Sequence, residues 1–131
     1  MAWKISSLCA DQLASFLTYG KNNLLVIDSR SFLEYNDSHV LDSINIGCSK
    51  LVKRRLLNNK VSISELLKST GDVDTVNKEK VVVYDQSSKD ITSLPRDTFV
   101  SVVLTKLASY FPSVYFLKGK KTSFVFQTLL C

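Results

Sequence analysis

The hydrophobic residues of this chain form short continuous runs that alternate with segments of helical spacing. Two runs, residues 24–28 (Leu-Leu-Val-Ile-Asp) and residues 81–85 (Val-Val-Val-Tyr-Asp), are rich in β-branched residues and predict strands buried on both faces. Shorter runs at residues 43–46 and 113–117 predict two further strands. Continuous rather than alternating hydrophobicity is typical of a parallel sheet covered by helices.

Apolar residues recur every three or four positions between these runs, which predicts four helices. Their expected starts are Ser7, Ser31, Ser62 and Pro95, because serine caps helix N-termini and proline is tolerated in the first turn. Glu34 follows Ser31 at the spacing of a capping box. The alternation predicts a three-layer α/β fold, with a mostly parallel sheet and helices on both faces.

The size and composition of the chain fit one folded domain spanning residues 1–131. The chain is 45% hydrophobic and 10% aromatic, which is enough for a substantial core. No apolar stretch approaches the roughly 20 residues that span a bilayer, and the N-terminus lacks the apolar core of a signal peptide. We therefore expect a cytoplasmic or nuclear protein without a membrane partner.

The three cysteines and the single histidine, His39, offer little material for metal or disulfide chemistry. The cysteines are widely spaced, with no Cys-x-x-Cys pair. We expect neither a metal site nor a cofactor. His39 lies between a predicted helix and a predicted strand, where a hydrogen bond from its ring to the backbone would hold the turn.

Residues 49–61 concentrate the positive charge of the chain. The run contains five basic residues and no carboxylate, and the net charge of the whole chain is +5. Its basic residues are Lys50, Lys53, Arg54, Arg55 and Lys60, and its apolar ones are Leu51, Val52, Leu56, Leu57 and Val61. Cations and apolar side chains in one segment predict a docking site for an acidic, partly apolar groove on another protein.

Two patterns invite a catalytic interpretation. Cys48 and Arg54 have the spacing of the tyrosine phosphatase loop, but the residues between them lack the glycines that let backbone N–H groups surround an anion. We interpret Cys48 as an ordinary half-buried residue. The loop at residues 85–90 follows a predicted strand but has no cysteine, histidine or glycine. Asp85 is expected to cap a helix or fix a turn.

Asp28 ends the first long strand, and with Arg30 it is expected to form a local ion pair or to fix the following turn. An exposed pair of this kind contributes only about 0–1 kcal/mol to stability. No catalytic residue is predicted here or elsewhere in the chain.

Several blocks of sequence resemble a known family. Residues 26–40 (Val-Ile-Asp-Ser-Arg-Ser-Phe-Leu-Glu-Tyr-Asn-Asp-Ser-His-Val) and residues 43–46 (Ser-Ile-Asn-Ile) resemble the rhodanese-like domain. With residues 49–56 and 81–88 added, the chain looks like the N-terminal non-catalytic domain of dual-specificity MAP kinase phosphatases, in the subgroup directed at stress-activated kinases. The resemblance covers roughly residues 8–119, and the sequence departs from the family pattern from about residue 120.

The resemblance implies a rhodanese-like fold with a five-stranded sheet. It places Asp85 where sulfurtransferases carry their active cysteine, so sulfur transfer is not expected. It also identifies the basic residues at 53–55 as a kinase interaction motif, flanked by apolar residues that fill pockets on a JNK-like MAP kinase. The implied partner-binding residues are Lys53, Arg54, Arg55, Leu51, Leu56, Leu57 and Val61.

Two alternative functions stay open from the sequence, a rhodanese-type sulfurtransferase and a basic nucleic-acid-binding domain. A basic segment attracts phosphates in general, but no aromatic residue lies between Tyr35 and Tyr84 to stack on bases. We therefore expect no nucleic-acid partner. Exposed ion pairs contribute about 0.2–1 kcal/mol each, so the charges should steer encounter while apolar side chains hold the complex.

Overall fold

The computed structural model describes residues 5–19, 23–40, 42–70, 78–85 and 95–118. The segment expected to depart from the family pattern, from about residue 120, and the loop at 86–90 lie outside these residues. The helices are α1 (Ala10–Tyr19), α2 (Phe32–Asp37), α3 (Lys50–Leu57), α4 (Ile63–Thr70) and α5 (Phe99–Ala108). The strands are β1 (Ile5–Leu8), β2 (Leu24–Asp28), β3 (Ile44–Asn45), β4 (Lys80–Tyr84) and β5 (Ser113–Leu117).

The five strands form one sheet in the order β1-β5-β4-β2-β3, and every pairing is parallel. The predicted strands at 24–28 and 113–117 are confirmed with the same bounds. The strand predicted at 81–85 begins and ends one residue earlier, and the one predicted at 43–46 is only two residues long. The fold is therefore the predicted α/β type with a five-stranded sheet.

Separate hydrophobic clusters cover the two faces of the sheet. Because side chains alternate along a strand, Leu25 and Ile27 of β2 face one cluster while Leu24 and Val26 face the other. Helices α3, α4 and α5 contribute to the first cluster, and α1 contributes Leu13 to the second. The predicted helices on both faces are confirmed.

Two of the four predicted helix starts are confirmed by their capping bonds. Ser31 and Glu34 form a reciprocal capping box at the start of α2. At the start of α4, the Ser62 hydroxyl accepts from the backbone N–H of Glu65, whose carboxylate accepts from the N–H of Ser62. These pairs satisfy N–H groups that have no partner within the helix.

The other two predicted starts, Ser7 and Pro95, are wrong. Ser7 lies in β1, which pairs with β5 at the sheet edge, so α1 begins only at Ala10. Pro95 precedes the cap of α5, because the Thr98 hydroxyl accepts from the N–H of Ser101 and the helix starts after it. Within the described residues, no helix is both long and apolar enough to cross a membrane.

Candidate functional site

Most of the basic run at residues 49–61 forms helix α3. The Ser49 hydroxyl accepts from the N–H of Val52 at 3.2 Å, which caps the helix. Arg54 and Arg55 lie in the last turn, where the negative end of the helix dipole favours cations. The helix ends at Leu57, and Asn59 takes the left-handed conformation with φ 57° that asparagine tolerates. Local chemistry therefore supports a helix here despite the clustered charges.

The inward side of α3 belongs to the core. Leu56 is 0% exposed and lies in the same cluster as the residues of α4 and α5. The prediction that Leu56 contacts a partner is therefore wrong for this structure, because a partner could reach it only if the helix opened. Val61 is half-buried and packs against the same cluster, so only part of its side chain is available.

The outward side of α3 combines one arginine with two leucines. Leu51 is 50% exposed, Leu57 is 55% exposed, and Arg54 between them is exposed. Residues three apart are neighbours on a helix surface, so Leu51 and Leu57 flank Arg54 on the same face. Arg55 is also exposed and lies four residues after Leu51, next to it on the surface. We call the set Leu51, Arg54, Arg55 and Leu57 the α3 face.

The two arginines of the α3 face have no partner inside the described part of the protein. Neither side chain forms a hydrogen bond or an ion pair there, and α3 contains no carboxylate. Lys53 differs, because it is half-buried and its Nζ donates to the backbone carbonyl of Asp97 at 2.8 Å. The face thus offers two guanidinium groups, which no carboxylate of the described residues compensates, beside exposed aliphatic carbon.

The phosphatase-like spacing of Cys48 and Arg54 does not produce an anion-binding loop. Residues 50–57 form α3, so the N–H groups beyond its first turn are bonded within the helix. Cys48 is exposed, not half-buried as predicted, because it lies at the surface in the segment between β3 and α3.

A buried ion pair lies at the carboxyl end of β2. Asp28 is 0% exposed and Arg30 is 5% exposed, so the pair predicted as an exposed one is internal. The Arg30 Nε lies 3.0 Å from Asp28 Oδ2 and its Nη2 lies 2.7 Å from the same oxygen, while its backbone N–H donates to Oδ1. The prediction of a local ion pair is confirmed. The stability contribution given for an exposed pair does not apply to it, because both side chains are buried.

Tyr84 of β4 completes this buried group. Its hydroxyl donates to Asp28 Oδ2 at 2.8 Å and accepts from the N–H of Val40 at 3.1 Å. Burial raises the pKa of Tyr84 above its usual value, and the charge of Asp28 adds to the shift. Burial lowers the pKa of Arg30, but its hydrogen bonds to Asp28 and the charge of that carboxylate outweigh this and raise it overall.

The buried pair also supports the segment that leads into α3. The side-chain amide of Asn45 donates to the carbonyls of both Asp28 and Arg30 at 3.0 Å. The N–H of Cys48 donates to the same Arg30 carbonyl at 3.3 Å. Since Ser49 then caps α3, the helix begins directly after a segment bonded to the buried turn. The sequence signal for this support was an Asp-x-Arg at the end of a continuous apolar strand.

The two remaining candidates from the sequence are His39 and Asp85. The predicted role of His39 is confirmed, because its Nδ1 lies 2.8 Å from the Tyr35 carbonyl and the two rings stack at 3.9 Å. Asp85 is half-buried, and the loop after it lies outside the described residues. In the ranges that the structure describes, no three His, Cys, Asp or Glu side chains are grouped to hold a metal ion.

The family model for the rhodanese-like domain matches residues 10–125. Mouse dual specificity protein phosphatase 8 is 51% identical over 117 residues, which are 88% of this chain and 18% of that protein. Human dual specificity protein phosphatase 16 is 48% identical over 116 residues, 87% of this chain and 17% of that protein. The chain therefore spans less than a fifth of the length of these relatives.

Solved structures show the same architecture at low sequence identity. The single-domain sulfurtransferase RDL2 of Saccharomyces cerevisiae superposes with a TM-score of 0.55 at 16% identity, covering 92% of this chain and 88% of that one. At this identity the likeness concerns the fold alone. Together with the matching family model and the five-stranded parallel sheet, it leads to one conclusion: the chain belongs to the rhodanese-like domain family.

Proposed function

We propose that this chain is a non-catalytic docking module that binds stress-activated, JNK-like MAP kinases through the α3 face. The observation that carries the proposal is the exposure of Arg54 between Leu51 and Leu57, with no internal partner for the arginine in the described residues. The similar proteins are dual specificity phosphatases. The proposal is also supported by the resemblance, which implies a kinase interaction motif at residues 53–55 with flanking apolar residues.

The proposed role is that of the targeting domain of a phosphatase that inactivates MAP kinases, acting in the cytoplasm or the nucleus. Catalysis would then belong to another part of such a phosphatase. Asp85 stands where the resemblance places the active cysteine of sulfurtransferases, so we propose no sulfur transfer by this chain. The lack of an aromatic residue on α3 argues against stacking on nucleic-acid bases.

The ion pairs and the leucines are expected to contribute different amounts of binding free energy. Two exposed ion pairs supply at most about 2 kcal/mol of binding energy, and less at physiological salt. Leu51 and Leu57 are about half exposed, so covering them contributes about 1–1.5 kcal/mol each. Micromolar affinity requires about 8 kcal/mol. The leucines therefore hold the complex at least as strongly as the arginines, and the partner must also touch residues beyond the α3 face.

The test is a calorimetric titration of a JNK-class MAP kinase with the parent chain and two double variants. We expect Arg54→Ala/Arg55→Ala to weaken binding by up to about 30-fold, since two ion pairs are lost. We expect Leu51→Ala/Leu57→Ala to weaken it by a similar or larger factor. Leu56 is not substituted, because its loss would damage the core.

The matched control is Lys68→Ala/Lys118→Ala, which removes the same charge from exposed positions outside α3. We expect this variant to bind within about twofold of the parent, because charges far from a contact are screened. If both α3 variants bind as tightly as the parent, the docking proposal is wrong. If the lysine control loses as much affinity as the arginine variant, the binding reflects net charge and the assignment to α3 fails.

A further inference from the structure

Helix α5 packs beside α3, and two lysines bridge the pair. Lys53 of α3 donates to the backbone carbonyl of Asp97, just before α5, at 2.8 Å. Lys106, in the last turn of α5, donates to the side-chain Oδ1 of Asn59, just after α3, at 2.9 Å. One bridge thus joins the middle of α3 to the start of α5, and the other joins the two helix ends.

The acceptors in both bridges are electrically neutral. Lys53 bonds a peptide carbonyl and Lys106 bonds an amide oxygen, and neither ammonium forms an ion pair within the ranges that the structure describes. The carboxylate of Asp97 forms no ion pair with Lys53, although its carbonyl is in contact. A neutral acceptor holds an ammonium group in place without supplying an opposing charge, so neither lysine is offset by a carboxylate of the described residues.

Helical spacing relates these lysines to the α3 face. Lys53 and Leu57 are four residues apart and share one row of the helix surface, on the side of α3 that meets α5. Arg54 lies on the other side of Leu57, three residues before it. Leu57 is therefore an exposed apolar position between an arginine on one side and the two bridging lysines on the other.

We propose that the docking surface continues from α3 onto α5, where Lys106 joins Lys53, already a residue of the implied kinase interaction motif, in a second cationic site for carboxylates of the partner. The proposal rests on the proposed function and specifies the partner further. The partner would present an apolar side chain to Leu57 and acidic groups on both sides of it. The lysines would exchange their neutral acceptors for carboxylates, which form stronger, charge-assisted hydrogen bonds.

The structure supplies a way to separate the charge of Lys106 from its bridge. Lys106→Met removes the charge and the bridge together but keeps most of the aliphatic stem. Asn59→Gly removes only the bridge, because glycine adopts the left-handed φ of 57° without strain. Lys106→Arg retains the charge and serves as the rescue variant.

The experiment titrates the JNK-class MAP kinase with these three variants and the parent at low and physiological salt, after circular dichroism has shown that each is folded. We expect Lys106→Met to bind about two- to fivefold more weakly, the range of one exposed ion pair. Its affinity should also depend less steeply on salt. Asn59→Gly and Lys106→Arg should keep the affinity and the salt dependence of the parent.

The outcomes distinguish this inference from the docking proposal itself. If Lys106→Met binds like the parent while Arg54→Ala/Arg55→Ala binds weakly, the surface ends at α3 and the extension is wrong. If Asn59→Gly loses as much affinity as Lys106→Met, the bridge acts by holding α3, and the proposed charge contact is wrong. If both α3 double variants bind as tightly as the parent, the docking proposal itself is wrong, whatever Lys106→Met does.

Discussion

Arg30 and Arg54 place the same guanidinium group in opposite surroundings. Arg30 is 5% exposed and is held by Asp28 and by the carbonyl of Ser38. Arg54 is exposed, and within the described residues nothing binds its side chain. The first arginine satisfies buried polar groups of its own chain, whereas the second leaves its donors available to another molecule.

The comparison shows that residue type alone does not decide the role of a basic side chain. What decides it is whether the neighbouring strand or helix turns that position toward the core. Arg30 follows a strand buried on both faces, so its charge must be paired internally. Arg54 lies opposite the buried side of an amphipathic helix. Water can hydrate its guanidinium group there, so its charge carries no desolvation penalty. One arginine therefore stabilises the fold, and the other is available for recognition.

The largest expected effect is on folding stability and comes from Arg30→Met. Removing one partner of a buried pair leaves Asp28 uncompensated, which costs about 3–5 kcal/mol. Arg54→Met removes the same charge from the surface and should change the free energy of unfolding by less than about 0.5 kcal/mol. Urea denaturation of the two variants and the parent measures both values.

Binding tests the exposed arginine of the same contrast. Under the proposed docking function, Arg54→Met should weaken binding to a JNK-class MAP kinase while its denaturation midpoint stays unchanged. If Arg30→Met is as stable as Arg54→Met, the buried pair does not contribute to the free energy of unfolding, and the contrast between the two arginines is wrong.

The second prediction makes the same contrast between adjacent leucines. Leu56→Ala should destabilise the fold by about 2–5 kcal/mol, because it opens a cavity between α3 and the core. Leu57→Ala should change the free energy of unfolding by less than about 0.5 kcal/mol, because more than half of this side chain is already in contact with water. Equal denaturation midpoints for the two variants would mean that α3 is rotated relative to this structure.

The sequence predicted the interior of the sheet better than its edges. Strands β2, β4 and β5 were found because they lie in the middle of the sheet and are buried on both faces, so their apolar runs are continuous. The edge strand β1 was missed because Ile5-Ser6-Ser7-Leu8 has no such run, and its pairing with β5 joins segments more than a hundred residues apart. Helix starts were predicted where the cap was a capping box, and missed where the cap was Thr98.

The sequence located the candidate surface within residues 49–61, but it did not predict which of these side chains are exposed. A list of apolar residues at 49–61 cannot separate Leu56 from Leu57 until the direction of the core is known. The bridges to Asp97 and Asn59 also could not be predicted, because they depend on α5 packing beside α3. Burial of the Asp28–Arg30 pair depends on Tyr84, which comes from a distant strand.

Of the three buried substitutions, Tyr84→Phe should destabilise the fold least, and it tests the buried side of the comparison through pH. At neutral pH the variant should lose about 1–3 kcal/mol of stability, because Asp28 and the N–H of Val40 lose their shared hydroxyl partner. In the parent, burial raises the pKa of Tyr84 above that of the unfolded chain, which is about 10. Above that pH the unfolded state releases the proton while the folded state keeps it, so stability falls as pH rises.

The variant lacks this ionisation, so its stability should fall less between about pH 9 and pH 11 than that of the parent. The difference in unfolding free energy between the two proteins should therefore shrink over this interval, which urea denaturation at each pH can measure. Parallel stability curves would mean that Tyr84 ionises as easily when folded as when unfolded, and its hydroxyl would then not be buried against Asp28.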